Sequence, residues 1–391
     1  MTPMMACGLW IFRRLAREGA LEVEMPTGDR VTIGHGHPIA DISIRDLGAI
    51  LAILREGLNG FAEAYMSGRI DTSDLDRLIA WGLANQKAWF DHPLAVATSP
   101  IRRVWQRIRP DRRHSRVRTM NEHYNLGNDF YASWLDPTMT YSSARFQSPE
   151  QILEEAQRHK YRTIAEHAQL APGMRVLEVG CGWGGFAEYA AIEIGCDLVG
   201  ITLAKEHAGY AEKRIANAGL ADRVEIRIED FRSTTGTFDA VVSIEMIESI
   251  DERQWPDLFQ TIFARLEPGA LAAMQIITIA DPYWERYRSR SDFIQQYIFP
   301  SGQLPAPKVL RRLSADAGLE VEQIETFGPD YARTLAAWRA NFTESWDRIQ
   351  SEHDLDERFR RMWHLYLTLC EAGFTLGRIN VEQWVFRKPA S

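Results

Sequence analysis

Residues 176–185, V-L-E-V-G-C-G-W-G-G, join an apolar run holding one acid to a set of alternating glycines. The run suits a β-strand covered on both faces, breaking into a loop that opens a helix near Gly185. Glycines let the backbone turn sharply and let a ligand lie against bare peptide groups. A helix starting there would aim its free N–H groups at an anionic ligand group. The dinucleotide signature G-x-G-x-x-G is not met. Instead Glu178, Gly180, Gly182 and Gly184 follow E-x-G-x-G-x-G, although for the loop alone an ordinary tight turn stays open. Further acids lie at predicted strand ends. Glu229 and Asp230 could accept hydrogen bonds from a ligand or simply cap the next turn. Glu248 could act as a base if burial raises its pKa, or stand as a structural carboxylate at a helix N-terminus.

The elements that must position these residues alternate strand and helix from about residue 148, as a doubly wound α/β sheet requires. The S-P-E-Q at 148–151 reads as a capping box opening a helix to about 168. Strands are predicted at 174–179, 197–202, 224–228, 238–244 and 271–279, and a closing strand at 379–386, after an extra segment at 282–305 and the last αβ units. Residues 1–95 read as a small α+β domain, with a helix at 5–18, strands at 20–25 and 30–34, and helices at 45–57 and 73–90. Asp71, Thr72 and Ser73 are cap candidates for the last helix. Residues 96–120 form a basic linker in which Arg102, Arg103, Arg107, Arg109, Arg112, Arg113, Arg116 and Arg118 are interleaved with apolar residues. That segment is either a solvated connection or a surface drawn to anionic phosphates. Residues 121–391 complete the second domain.

A length of 391 residues favours two domains. The net charge of −8 argues against a general nucleic-acid binder. Cys7, Cys181, Cys196 and Cys370 have neither disulfide-scaffold density nor C-x-x-C spacing, so no metal site is expected. No run reaches membrane-spanning length, and the positive charges near the N-terminus follow the short apolar stretch rather than precede it. The expectation is a cytoplasmic protein, peripherally associated with the inner face of the membrane.

E-x-G-x-G-x-G resembles motif I of class I S-adenosylmethionine methyltransferases. H-Y-N-L-G-N-D-F-Y at 123–131 and L-D-P-T-M-T-Y-S-S at 135–143 precede it. G-I-T-L at 200–203, S-I-E-M-I-E at 243–248, Y-I-F-P-S-G at 297–302 and F-G-P-D-Y at 327–331 follow. In this order they resemble the cyclopropane fatty acid synthase family, across nearly all of 120–388. Residues 1–95 resemble that family's lipid-binding domain more loosely. The resemblance implies that Tyr124, Tyr141 and Ser142 border S-adenosylmethionine. Glu178, Gly180, Gly182 and Gly184 would hold its methionine end, Thr202 and Leu203 the ribose, and Glu229 and Asp230 the adenine. It implies an unsaturated phospholipid acyl chain as substrate, an anionic membrane surface as partner, and a homodimer. Tyr287, Tyr297, Phe299 and Tyr331 are candidates for stabilising a carbocation with their ring faces.

The family's proton acceptor is a bicarbonate ion held by a Cys, a Glu, a His, a Tyr and a main-chain amide. Glu248 and Tyr331 match two of these. Ser143 stands at the Cys position, where its hydroxyl could donate to the anion, and Ile277 stands at the His position. Gln275, two residues earlier on the same strand face, could supply a further donor. Loss of the new methyl's proton closes a cyclopropane ring. Loss from a neighbouring carbon gives a methyl-branched or methylene fatty acid. An amine or small-molecule methyltransferase is the remaining alternative.

Overall fold

The computed structural model describes residues 13, 16–37, 39–85, 126–289, 291–300 and 302–390. These fall into two compact units. The first takes residues up to 124 together with 291–300 and 350–372. Its sheet has the order β2-β1-β3-β4, built from β1 (Gly19–Glu24), β2 (Arg30–His35), β3 (Ile39–Ile44) and β4 (Ile70–Asp71). The β1–β2 turn closes with Gly28 at φ +85°, its N–H donating to the carbonyl of Met25 at 2.8 Å. Helices Leu47–Glu56 and Leu75–Ala84 are capped by Asp46 and Asp74, whose carboxylates accept from Ala49 N and Arg77 N. The cap of the latter helix is therefore Asp74, and the candidates Asp71, Thr72 and Ser73 are corrected: Asp71 ends β4 and is held by Arg45 and Arg361. Helix Leu58–Met66 and strands β3 and β4 were not expected. The helix anticipated at 5–18 lies almost wholly outside the described residues, as do the basic linker and Tyr124. Segment 350–372 belongs to this unit through Arg361, which donates to the Tyr65 and Ile70 carbonyls and covers the Tyr65 ring.

The second unit holds a seven-stranded sheet of order β10-β11-β9-β8-β5-β6-β7. Its strands are β5 (Arg175–Val179), β6 (Asp197–Thr202), β7 (Val224–Ile228), β8 (Phe238–Ile244), β9 (Leu266–Ile279), β10 (Glu320–Thr326) and β11 (Ile379–Arg387). Strands β7, β6, β5, β8 and β9 run parallel, while β11 pairs antiparallel with both β9 and β10. The sheet is mixed rather than wholly parallel, and β10 joins as an edge strand. Val176, Leu177 and Val179 of β5 are buried, as expected for a strand covered on both faces.

The expected capping box at 148–151 does not form. The helix runs Leu153–His167 with Ile152 at its N-cap. The Arg333 guanidinium donates to the carbonyls of Ser148, Pro149 and Gln151 at 2.6–2.7 Å. Gln151 instead accepts from Gln147 N at 2.7 Å.

Strands β6 and β7 lie on one side of β5 and β8 and β9 on the other, so the strand order reverses between β5 and β8. In such sheets, ligands bind beyond the carboxyl ends of the strands at this switch point. The segments after β5, β6, β7 and β8 carry Gly180–Gly184, Thr202–Leu203, Glu229–Asp230 and Glu245–Glu248, which places all four groups at one edge.

Candidate active site

The turn after β5 is set by backbone geometry. The N–H groups of Gly180 and Cys181 both donate to the carbonyl of Ile201 at 3.0 Å. Gly180, Gly182 and Gly184 have φ of +85°, +51° and +79°, a region that side chains resist. A Cβ at Gly180 would lie 2.6 Å from Met246 Cγ, and one at Gly184 3.0 Å from Ala211 Cβ. At Gly182 a Cβ would meet nothing within 4 Å, leaving a bare peptide face open to a ligand. Glu178 is buried, and its Oε2 has no hydrogen-bond partner. Burial pushes its pKa up to about 8, against the opposing pull of Lys160. An open glycine face beside an unsatisfied buried carboxylate oxygen fits the amino-acid end of S-adenosylmethionine.

Around this loop, Thr202 Oγ1 accepts from Ala204 N at 3.2 Å, and Thr202 O accepts from Glu229 N at 3.1 Å. Leu203 is 67% exposed. Asp230 caps the turn Phe231–Ser233 through Arg232 N, and its carboxylate also takes the Arg232 guanidinium at 2.6 Å. That hydrogen bond holds its carboxyl below the usual range. Glu229 lies 3.8 Å from Arg227. Ser142 Oγ accepts from Lys160 Nζ at 2.6 Å. Lys160 is a wholly buried lysine, brought to about 8 by burial, with Glu245, Asp136 and Glu178 opposing the shift.

The second half of the site forms around a residue that motif reading passed over. Glu245, directly after β8, is half-buried and holds φ +51°. Its Oε1 accepts from Ser143 N at 2.9 Å and Gln275 Nε2 at 2.8 Å, and its Oε2 from Tyr331 OH at 2.7 Å. Three of the expected catalytic residues thus converge on Glu245. The signal available in the sequence was the spacing of two acids three residues apart behind a strand.

Glu248 sits close behind, in the 3-10 turn Ile247–Ser249 rather than at an α-helix N-terminus. Its Oε1 accepts from Ile277 N, and its Oε2 is buried without a partner. Burial, reinforced by the charge of Glu245, raises its pKa to about 8. The expectation for the Ser143 hydroxyl is corrected. Its Oγ donates to the carbonyl of Ala144 at 2.9 Å, while its main-chain N–H serves Glu245. Gln275 also bonds the Ser143 carbonyl at 3.2 Å and accepts from Gln383 Nε2 at 3.0 Å.

Rings join the two halves. Tyr141 lies 5.2 Å from Trp338, and Trp338 lies 6.0 Å from Tyr331, which packs 4.4 Å from Phe374. Trp134, Tyr131 and Trp183 extend the wall. Of the four aromatic candidates, Tyr331 lies here. Tyr287 donates its ring to the unit's core while its hydroxyl accepts from Leu304 N at 3.1 Å, and Tyr297 and Phe299 belong to the other unit.

Fold and site together define a class I S-adenosylmethionine-dependent methyltransferase. The chain belongs to the mycolic acid cyclopropane synthetase family, whose model matches residues 111–384. It is 36% identical to the tuberculostearic acid methyltransferase UfaA1 of Mycobacterium tuberculosis, over 98% of this chain and 92% of that protein. It is 32% identical to the cyclopropane-fatty-acyl-phospholipid synthase of Escherichia coli K12, over 90% and 89% of the two chains. The cyclopropane synthase MmaA2 from Mycobacterium tuberculosis superposes with a TM-score of 0.64 at 28% identity, covering 70% of this chain and 98% of its own. The cyclopropane synthase CmaA1, in complex with SAH and CTAB, gives the same values. No helix of the described residues is long and apolar enough to cross a membrane.

Proposed function

We propose that this enzyme transfers a methyl(ene) group to the cis double bond of an unsaturated phospholipid acyl chain, giving a cyclopropane fatty acid. The observation that carries this reading is the packing of Met246 onto Gly180, because the same turn sets the Glu245 and Glu248 carboxylates behind the cofactor loop. When bound, S-adenosylmethionine supplies an electrophilic methyl group. Glu178 and the peptide face at Gly182 would hold its amino-acid end, with Tyr141 and Ser142 beside it. An isolated double bond is a weak nucleophile, so the pocket must orient it and keep water out. The ring faces of Tyr331 and Trp338 can stabilise positive charge on the alkylated chain. Glu248 Oε2, buried and without a partner, is placed to take the proton that this charge releases. The names of the relatives support a lipid substrate, and the arginines at 102–118 support docking on an anionic membrane surface.

A second product has its own support. Ile277 stands at the expected histidine position and contributes its main-chain N–H to Glu248, and UfaA1 is named for a methylated rather than cyclopropanated fatty acid. Both point to C-methylation without ring closure. Likeness to coclaurine N-methyltransferase, at 17% identity, concerns the fold alone.

The deciding experiment treats unsaturated phospholipid vesicles with enzyme and methyl-labelled cofactor, then analyses the fatty acids by gas chromatography and mass spectrometry. Gain of one CH₂ with loss of the double bond establishes cyclopropanation. The same gain with a double bond retained establishes the branched product. Absence of label from lipid overturns both in favour of a small-molecule acceptor.

A further inference from the structure

We propose that Glu245 is the built-in anion of this site: its carboxylate fills the place where a bicarbonate ion was expected, and the reaction needs no external ion. The inference rests on the reading above, methyl transfer to an acyl chain.

A bicarbonate ion presents a planar O–C–O group that needs several hydrogen-bond donors. The donors at this site are already taken by a planar O–C–O group of the chain itself. Ser143 N and Gln275 Nε2 serve one oxygen of Glu245, and Tyr331 OH serves the other. The amide of Ile277 is engaged by Glu248, and the Ser143 hydroxyl by the Ala144 carbonyl. A further anion would have to enter beside two buried carboxylates, facing donors that are already engaged and paying a full desolvation cost. Burial pushes the Glu245 carboxyl up, and its hydrogen bond from Gln275, the charge of the buried Lys160 and its hydrogen bonds from Ser143 and Tyr331 favour the anion against that shift.

The backbone supports the same conclusion. Glu245 holds a left-handed φ of +51°, which costs a non-glycine residue about 1 kcal/mol. Its own N–H donates to the Gln275 carbonyl at 2.8 Å, which fixes the turn and keeps the side chain aimed at its three donors. The proton then goes to Glu248. A C–H bond next to the cationic carbon, or on the added methyl, breaks. Its electron pair becomes the new C=C or ring C–C bond, and the proton moves to Glu248 Oε2 and on to solvent. Glu245 touches none of the reacting atoms in this scheme, so it is a positioning and electrostatic residue.

The test titrates ¹³C-labelled bicarbonate into the full-length protein saturated with S-adenosylhomocysteine, read by NMR, and separately compares turnover in bicarbonate-depleted and supplemented buffer. The native protein should show no saturable binding and unchanged turnover. Glu245→Gly suits the left-handed backbone and empties the place. It should bind bicarbonate saturably, lose at least about tenfold in depleted buffer because Ser143 N, Gln275 Nε2 and Tyr331 OH are left without the carboxylate they serve, and regain activity on supplementation. Saturable binding to the native protein, or loss of its turnover on depletion, overturns the proposal. So does a Glu245→Gly protein that retains S-adenosylhomocysteine affinity yet binds no bicarbonate. If that variant fails to fold, Glu245→Ala carries the same expectations, and the native arm stands by itself. If no form of the enzyme labels lipid, the reading of methyl transfer to an acyl chain fails while the NMR titration still decides the place of the anion.

Discussion

Two acids three residues apart have opposite environments in this site. Glu245 has every oxygen served, whereas Glu248 keeps one oxygen without a partner. Glu248→Gln retains the shape and an acceptor for Ile277 N but cannot take up a proton. Turnover should fall about 10²–10⁴-fold, the usual worth of a general base. S-adenosylhomocysteine affinity, measured by calorimetry, should stay close to native; a large loss would place Glu248 in the cofactor site instead. Because burial holds Glu248 near 8, the acceptor is mostly protonated at neutral pH. Single-turnover rates should therefore climb with pH and level off above about 8. The midpoint belongs to the coupled pair Glu245 and Glu248 rather than to one group. A flat profile from pH 6 to 9 would remove Glu248 from the proton transfer.

At the scale of elements, the glycine loop makes a graded prediction. Gly180→Ala forces a methyl against Met246 at a positive φ, which should lower the melting temperature and displace the turn carrying both acids. Gly182→Ala meets open space, so its cost should appear chiefly as weaker cofactor binding, with about 1 kcal/mol of backbone strain. Equal losses of stability in the two variants would contradict this division. The loop was legible in the sequence because its chemistry is local: a strand, alternating glycines and a helix start are contiguous. The parallel strands were legible for the same reason, each being a short apolar run. What could not be read was long-range. Arg333 reaches across 182 residues or more to the segment 148–151, and Ser143, Gln275 and Tyr331 meet on Glu245 from three distant segments. No local pattern distinguishes Glu245 from Glu248; only the donors around each do.

At the scale of the whole molecule, buried acids should set the response to pH. Glu178 and Glu248 have folded-state pKa values raised from 4.5 to about 8, so the folded protein holds their protons more tightly than the unfolded chain. That contribution is fully present below about pH 4.5, declines as pH rises, and is lost above about 8. Lys160, lowered from 10.5 to about 8, opposes folding below its titration and is relieved only at higher pH. Between pH 6 and 8 the acids dominate, and the denaturant midpoint should fall; Glu178→Gln and Glu248→Gln should each flatten that slope. Membrane docking is the other property of this scale. Replacing Arg102, Arg103, Arg107 and Arg109 by Glu should weaken binding to phosphatidylglycerol vesicles, most at low salt, where screening is least. Unchanged vesicle affinity would leave the segment a connection only.

The interleaving of the two units has a consequence for how the protein is made. The first unit draws on residues 350–372, and the second places β11, from 379–387, between β9 and β10. During synthesis the first unit must await residue 372 and the second must await β11: a ribosome that has released the whole glycine loop still withholds the strand that completes its sheet. Both units must await nearly the same late stretch of chain, so early segments remain exposed for most of translation. A single cut after Tyr124 therefore keeps every residue of the second unit on one fragment but divides the first, whose segments 291–300 and 350–372 go with that fragment.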